Sequence, residues 1–167
     1  MQSSIDAEYI THLGADRDKI FVTGNTKFDQ TYAEVTAEDL EKYREELGIG
    51  DAYPVIVAGS THPGEEKILF EAFQKVRKEY SDARLIIAPR KTTRADEIAK
   101  LASSYGYETG YRSVMKAQEG PRKNYPVLLI DTIGELGRIY AVGDVVFVGG
   151  SFSNTGKIGR AHVWTPV

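Results

Sequence analysis

Val55-Ile56-Val57-Ala58-Gly59-Ser60-Thr61-His62-Pro63-Gly64-Glu65-Glu66 is the stretch from which the rest of the chain is read. Its apolar opening is short and rich in β-branched residues, as in a strand buried on both faces of a parallel sheet. A small-residue turn follows, then the first turn of a helix. Gly59 and Gly64 let backbone pass close to a ligand with no Cβ in the way. Ser60 and Thr61 suit a helix cap, and Glu65 and Glu66 suit its positive end. Strand, loop and helix N-terminus together bring free N–H groups toward an anion. The same pattern also describes an ordinary strand–helix turn that binds nothing.

Outward from this stretch the pattern repeats. Toward the start, residues 6–13 read as a short helix closing at Gly14. Ile20-Phe21-Val22 reads as a brief strand leading into the turn residues Thr23-Gly24-Asn25-Thr26. Residues 27–35 are mixed and polar, a linker. Thr36 then caps a helix, with Asp39 placed to complete a capping box and Val35 spaced from Leu40 as a hydrophobic staple. Leu40, Tyr43 and Leu47 share its inner face, and Gly48 stops it.

The helix after Gly64 is predicted to bury Ile68, Leu69, Ala72, Phe73 and Val76, and to expose Lys67, Glu71, Lys75, Lys78 and Glu79. Leu85-Ile86-Ile87-Ala88 is a second strand. It is followed by a helix with Ile98, Leu101, Ala102 and Tyr105 inside and Gly106 as its stop. Residues 107–124 are the least regular, with a short strand and a mobile loop expected. Val127-Leu128-Leu129-Ile130 is a third strand, ended by Asp131. Thr132 and Glu135 form the next capping box, ahead of a helix that turns Leu136, Ile139 and Tyr140 inward. Val145-Val146-Phe147-Val148 is a fourth strand, closing on Gly149-Gly150-Ser151.

Apolar strands alternating with amphipathic helices predict an α/β fold with a doubly wound parallel sheet. Ligands of such sheets sit beyond the carboxyl ends of the strands, here residues 59–64, 89–94, 131–135 and 149–151. Arg90 directly follows a buried strand, where an arginine pairs with a phosphate, stacks on a base, or simply meets solvent. Lys91 and Arg94 add positive charge at the same edge. His62 could donate to a phosphate, whereas His12 reads as a surface residue. Asp131 could touch a ribose hydroxyl or only cap the chain, and Glu135 reads as a capping partner ahead of a catalyst. Gly149-Gly150-Ser151 could offer N–H groups to an anion or form a tight strand exit.

Composition narrows the chemistry. Over 167 residues the formal net charge is −3, with no electrostatic footprint for nucleic acid. With 0 Cys, disulfides, thiol catalysis and Cys-ligated metals are excluded, and the 3 His show no zinc spacing. No apolar run spans a bilayer and no signal peptide opens the chain, so a cytoplasmic location is the default. Neither a Ser-His-Asp order nor a Walker-type glycine loop is present.

The loops are more specific together than singly. Val22-Thr23-Gly24-Asn25-Thr26-Lys27-Phe28-Asp29, Ser60-Thr61-His62-Pro63-Gly64-Glu65-Glu66, Ala88-Pro89-Arg90, Asp131-Thr132-Ile133-Gly134-Glu135-Leu136 and Phe147-Val148-Gly149-Gly150-Ser151-Phe152 follow one another in this order. The set resembles the C-terminal domain of the 3-deoxy-D-manno-octulosonic acid (Kdo) transferases, which glycosylate the lipid A precursor. The resemblance runs from the start to about Gly156.

The resemblance implies a GT-B arrangement, two Rossmann-like domains facing across a cleft, of which this chain would hold a partial C-terminal domain. Residues 1–32 would then be the end of the N-terminal domain and a linker, and residues 33–156 an incomplete nucleotide-sugar-binding domain. It further implies CMP-Kdo as donor and a tetraacylated lipid A precursor as acceptor at the cytoplasmic face of the inner membrane. Transfer would invert the anomeric centre. The base, a glutamate, and the membrane contact would belong to the N-terminal domain, so no catalytic residue, metal or cofactor is expected here. The fragment itself is expected to be soluble and inactive alone. By position, Pro89 and Arg90 become donor-nucleotide contacts, and Ile133, Gly134 and Glu135 line the loop beside CMP. Ser60, Thr61 and Gly64 form the adjoining loop, and Gly149, Gly150 and Ser151 complete the substrate-binding set.

The chain also departs from the family. Lys91-Thr92-Thr93-Arg94 stands where His-Pro-Glu-Arg is usual, so only the outer arginine is kept. After Gly156 the expected continuation breaks at Lys157. Residues 157–167 resemble the translation of a sequencing-adapter read and are expected to be a non-native tail, with His162 and Trp164 carrying no function. Two other readings stand beside this one. The first is a different GT-B sugar-nucleotide enzyme such as UDP-N-acetylglucosamine 2-epimerase, which shares a stretch like residues 22–26. The second is a non-catalytic nucleotide-binding or interaction domain.

Overall fold

The computed structural model describes residues 1–24, 35–150 and 152. The chain divides into two compact units, Met1–Glu34 and Val35 onward. In the first unit Ser3 caps α1 (Ser4–His12), its hydroxyl accepting from the Asp6 N–H at 3.1 Å. Gly14, at φ +94°, turns the chain out of the helix, and a single 3-10 turn, Arg17–Lys19, follows. The strand expected at Ile20–Val22 does not form. Phe21 and Thr23 bond to the backbone of Met1 instead of to a strand, and Phe21 and Val22 are exposed. The linker and the Asn25–Asp29 part of the first motif lie outside the described residues.

The second unit opens with α2 (Ala37–Glu46), where both halves of the Thr36–Asp39 capping box are formed. Tyr43 and Leu47 are buried and Leu40 packs beside them. Then come β1 (Val55–Thr61), α3 (Glu65–Glu79), β2 (Arg84–Pro89), α4 (Ala95–Ser104), β3 (Thr109–Tyr111), α5 (Arg112–Ala117), β4 (Val127–Leu129), α6 (Leu136–Ala141) and β5 (Val145–Val148). The strands form one sheet in the order β3-β4-β2-β1-β5, and every pairing is parallel. Alternate residues of one strand feed opposite faces. Val57, Ile86 and Leu128 pack with Tyr43, Leu47 and Ile139, while Ala58, Leu85, Ile87 and Leu129 pack with Phe70, Phe73 and Ile98. The doubly wound α/β reading is therefore correct.

Two details of the reading are not. In α3 the inner face is turned from the expected one: Phe70 and Phe73 are buried, whereas Ile68 and Ala72 are exposed. Phe70 stacks on Tyr105, ring centroids 5.5 Å apart, and the bulk of that stack sets the helix's rotation. Residues 107–124 hold the expected short strand, β3, which pairs with β4, but also a helix, α5, that the reading does not include. Gly110 is what lets β3 close up, since its missing side chain makes room for the Tyr125 ring.

Candidate functional site

Because β1, β2, β4 and β5 are parallel, their carboxyl ends open on one edge of the sheet, the edge picked out by the motifs. β1 runs through Ser60 to Thr61, further than the sequence indicates. Its register with β2 shifts between Gly59 and Thr61, and Ser60 sits at φ +55°, a bulge at the mouth of the site. Ser60 and Thr61 are thus strand residues and do not cap α3. The N-cap is Gly64, at φ +95°, with no side-chain cap bond and open space where a Cβ would stand. Gly59 does not face a ligand either: the Tyr140 ring occupies the space beside it.

The two glutamates after Gly64 stand in the first turn of α3, as the sequence reading places them, but the reading gives no sign of how deeply they are buried. Each is only 1% exposed. Among the described residues, Glu65 accepts from the backbone N–H groups of His62 at 2.8 Å, Gly150 at 2.8 Å and Phe152 at 3.1 Å. Glu66 accepts from the Thr61 hydroxyl at 2.8 Å and from Arg94 at 2.7 and 3.3 Å. The sequence held one usable signal. Glu66 lies three and four positions before Leu69 and Phe70, on the face that packs inward.

Arg94 is therefore not a free cation for a ligand. Its guanidinium is taken by Glu66 and Glu97. The positive edge reduces to Arg90 and Lys91, both exposed. Pro89 is buried at the end of β2, in register with Thr61, and the Arg90 N–H donates to the Thr61 carbonyl at 3.0 Å. That bond fixes the backbone of Arg90 while its side chain stays in solvent, with no hydrogen bond or ion pair among the described residues.

After β4, Ile133 is 89% exposed, and Gly134 stands at φ +90° with open space where a Cβ would be, so this loop projects into solvent. The expected capping box is absent. α6 begins after Glu135, which makes no cap bond. Its carboxylate instead accepts from Thr132 at 2.5 Å, Lys116 at 2.7 Å, Tyr43 at 3.0 Å and Arg112 at 3.1 Å. Burial pushes this carboxyl up, but the hydrogen bonds from Lys116, Thr132, Tyr43 and Arg112 outweigh it and hold the group down at about 2. Burial and the Glu135 bond in turn push the Tyr43 phenol up to about 12. Arg112, which the sequence reading passes over, also donates to the carbonyl and carboxylate of Glu46 at 3.1 Å. Asp131 turns away to α5, accepting from the Ser113 N–H at 2.8 Å and from its hydroxyl.

The loop after β5 does present N–H groups to an anion, but the anion is internal. Gly149 donates to the Gly59 carbonyl at 2.8 Å and Gly150 donates to Glu65. A Cβ on Gly149 would stand 2.6 Å from the Thr61 Cα, so only glycine lets β5 lie this close to β1. The His62 ring lies beside Gly150. Ser151 falls outside the described residues, as do residues 157–167.

The edge thus combines a fastened inner layer with an exposed outer one formed by Gly64, Arg90, Lys91, Ile133 and Gly134. Chemically it offers exposed positive charge on an anchored backbone, which suits recognition of an anion more than proton transfer. Among the described residues no group of three or more His, Asp or Glu is arranged to hold a metal ion, and no helix is long and apolar enough to cross a membrane.

No protein-family model matches the chain. A "Bifunctional glycosyltransferase/methyltransferase" of Fusobacterium nucleatum is 35% identical over 156 residues, which is 93% of this chain and 23% of that protein. The 3-deoxy-D-manno-octulosonic acid transferase of Aquifex aeolicus is 32% identical over 93% of this chain and 38% of the relative. The corresponding transferase of Haemophilus influenzae is 30% identical over 93% of this chain and 35% of its own length. The chain therefore spans well under half the length of the curated relatives it matches. Among solved structures, the crystal structure of the C-terminal CMP-Kdo binding domain of WaaA from Acinetobacter baumannii superposes with a TM-score of 0.60 at 27% identity. That match covers 75% of this chain and 61% of that one.

Proposed function

From the kinship of this chain with the 3-deoxy-D-manno-octulosonic acid transferases, shared over 93% of its length, we propose that it carries the donor-nucleotide side of a Kdo transferase. The proposed donor is CMP-Kdo and the proposed acceptor is the lipid A precursor at the cytoplasmic face of the inner membrane. The observation that carries this reading is Arg90. It is an exposed arginine whose backbone is pinned to β1 and whose guanidinium has no partner among the described residues, at the carboxyl edge where α/β sheets bind ligands. Arg90 and Lys91 would face the CMP phosphate. Departure of CMP develops negative charge on that phosphate, and fixed cations there lower the barrier.

The remaining contacts follow the exposed outer layer. Pro89 sets the direction of Arg90, Ile133 and Gly134 lie against the nucleotide, and Gly64 leaves room at the start of α3. Ser60, Thr61, Glu135, Gly149 and Gly150 act from behind, shaping the edge. No residue of this chain is proposed as the base.

Titration of the purified chain with CMP and with UDP, followed by amide NMR, tests the reading. Binding of CMP in preference to UDP, with perturbed resonances at Arg90, Lys91 and Gly134, is expected. Preference for UDP, or perturbations confined to the opposite end of the sheet, would overturn it.

A further inference from the structure

Among the described residues, Glu65 differs from the other well-buried carboxylates at this edge in having no cation. Glu66 has Arg94, and Glu135 has Arg112 and Lys116. Its bonds from the described residues come from backbone N–H groups: His62 in the turn after β1, and Gly150 and Phe152 in the loop after β5. A buried carboxylate is costly unless its oxygens are well satisfied, and backbone N–H groups aimed at one point do satisfy them. Conversely, without Glu65 those N–H groups would be buried around nothing.

Converging N–H groups of this kind form a nest that takes an anion. Here the first turn of α3 supplies that anion, so the nest is a fastening and not the ligand's phosphate site. It joins the β5 exit to the β1 exit, while Glu66, through Thr61 and Arg94, joins the β1 exit to the turn after β2 that bears Arg90.

We propose that Glu65 is a positioning residue: it holds the Gly149–Gly150 loop against the His62 turn and thereby sets the shape of the edge that receives the nucleotide. The last clause rests on the CMP reading above; the fastening does not. The test uses the purified 167-residue chain and its Glu65→Gln variant, which keeps the volume but turns an NH2 group toward at least one of the N–H donors. Three readouts are compared: amide hydrogen exchange at Gly150 and His62, CMP affinity, and thermal unfolding.

Exchange at Gly150 is expected to rise about 10-fold or more, with CMP affinity falling about 10-fold while unfolding stays cooperative. Unchanged exchange at Gly150 overturns the proposal. Faster exchange with unchanged CMP affinity also overturns it, because Glu65 would then be purely structural. If Glu65→Gln does not fold, Glu65→Asp, which keeps the charge but falls one methylene short, is read by the same criteria. If the unaltered chain binds no CMP, the nucleotide reading falls, and the exchange comparison alone decides whether Glu65 fastens the loop.

Discussion

Arg112 donates through Nε to Glu135 at 3.1 Å, tying the first residue of α5 to the residue that precedes α6. The pair is largely shielded, with side-chain exposures of 3% and 13%. It places a positive charge behind the 131–135 loop, so the loop's only carboxylate next to the helix is spoken for before any ligand arrives. Glu135 thus shapes the edge from behind instead of reaching out from it.

The pH dependence of stability should register this pair. The Glu135 carboxyl is lowered from 4.5 to about 2 in the folded chain. A depressed carboxyl stabilises the fold above its unfolded value and loses that contribution as pH falls through its folded value. Unfolding free energy should therefore decline between about pH 4.5 and pH 2, and Glu135→Gln should flatten this part of the curve. Denaturant melts of both proteins across that window provide the measurement; parallel curves would remove Glu135 as the cause.

Removing the cation should cost more than removing the anion's charge. Arg112→Ala leaves Glu135 short of a partner and strips donors from Glu46, the situation in which breaking a buried pair costs about 3–5 kcal/mol. Arg112→Lys restores charge but not the fork that reaches both glutamates, so it should recover only part of the loss. Urea unfolding at neutral pH checks this, and a loss below about 1 kcal/mol for Arg112→Ala would mean the pair behaves as a surface bridge.

What was legible in the sequence follows a physical line. The four apolar strands of the sheet and most helix faces could be read because periodicity records burial directly, as in Tyr43–Leu47 and Ile98–Ala102, whereas Ile20–Val22 has the strand pattern but, among the described residues, no sheet to join. The Thr36–Asp39 box could be read because both partners lie within one turn. The Glu135 network could not, because its partners Tyr43 and Arg112 lie 92 and 23 residues away, and Thr132 offered a plausible local partner instead. Glu65 and Glu66 do stand in the first turn of α3, as read, but their burial is not legible locally, because only the tertiary fold brings Gly150 and Arg94 to them. The edge itself was legible because parallel strands place their exits together whatever the side chains do there.

Two glycines in the motifs should separate backbone need from open space. A Cβ at Gly149 would stand 2.6 Å from the Thr61 Cα and 2.7 Å from the Glu65 carboxylate, so Gly149→Ala must push β5 away from β1. At Gly64 the same Cβ meets nothing, and only the φ of +95° resists it, a cost of about 1–2 kcal/mol. Gly149→Ala should therefore be the more damaging: its clash is with backbone, which puts its cost at about 3 kcal/mol or more, the upper end for overpacked cores. Equal losses in thermal or urea unfolding would show that β5 has freedom to shift.

Arg90 and Arg94 stand four residues apart and should fail in opposite ways. Arg90 is exposed and without a partner among the described residues, so Arg90→Ala should change stability by no more than about 0.5 kcal/mol. If its guanidinium meets the CMP phosphate, the same substitution should weaken CMP binding roughly 10-fold to 100-fold, the range expected for a hydrogen bond to a charged group. Arg94 is spent on Glu66, whose side chain is 1% exposed. Arg94→Ala should thus destabilise the fold by about 3–5 kcal/mol, with any loss of CMP binding following from the loosened Thr61–Arg90 backbone. Calorimetric titration with CMP, paired with urea unfolding of both variants, distinguishes the two. If Arg90→Ala lowered stability and left CMP affinity unchanged, Arg90 would be a structural residue and the ligand edge would have to be sought around Lys91 and Gly134.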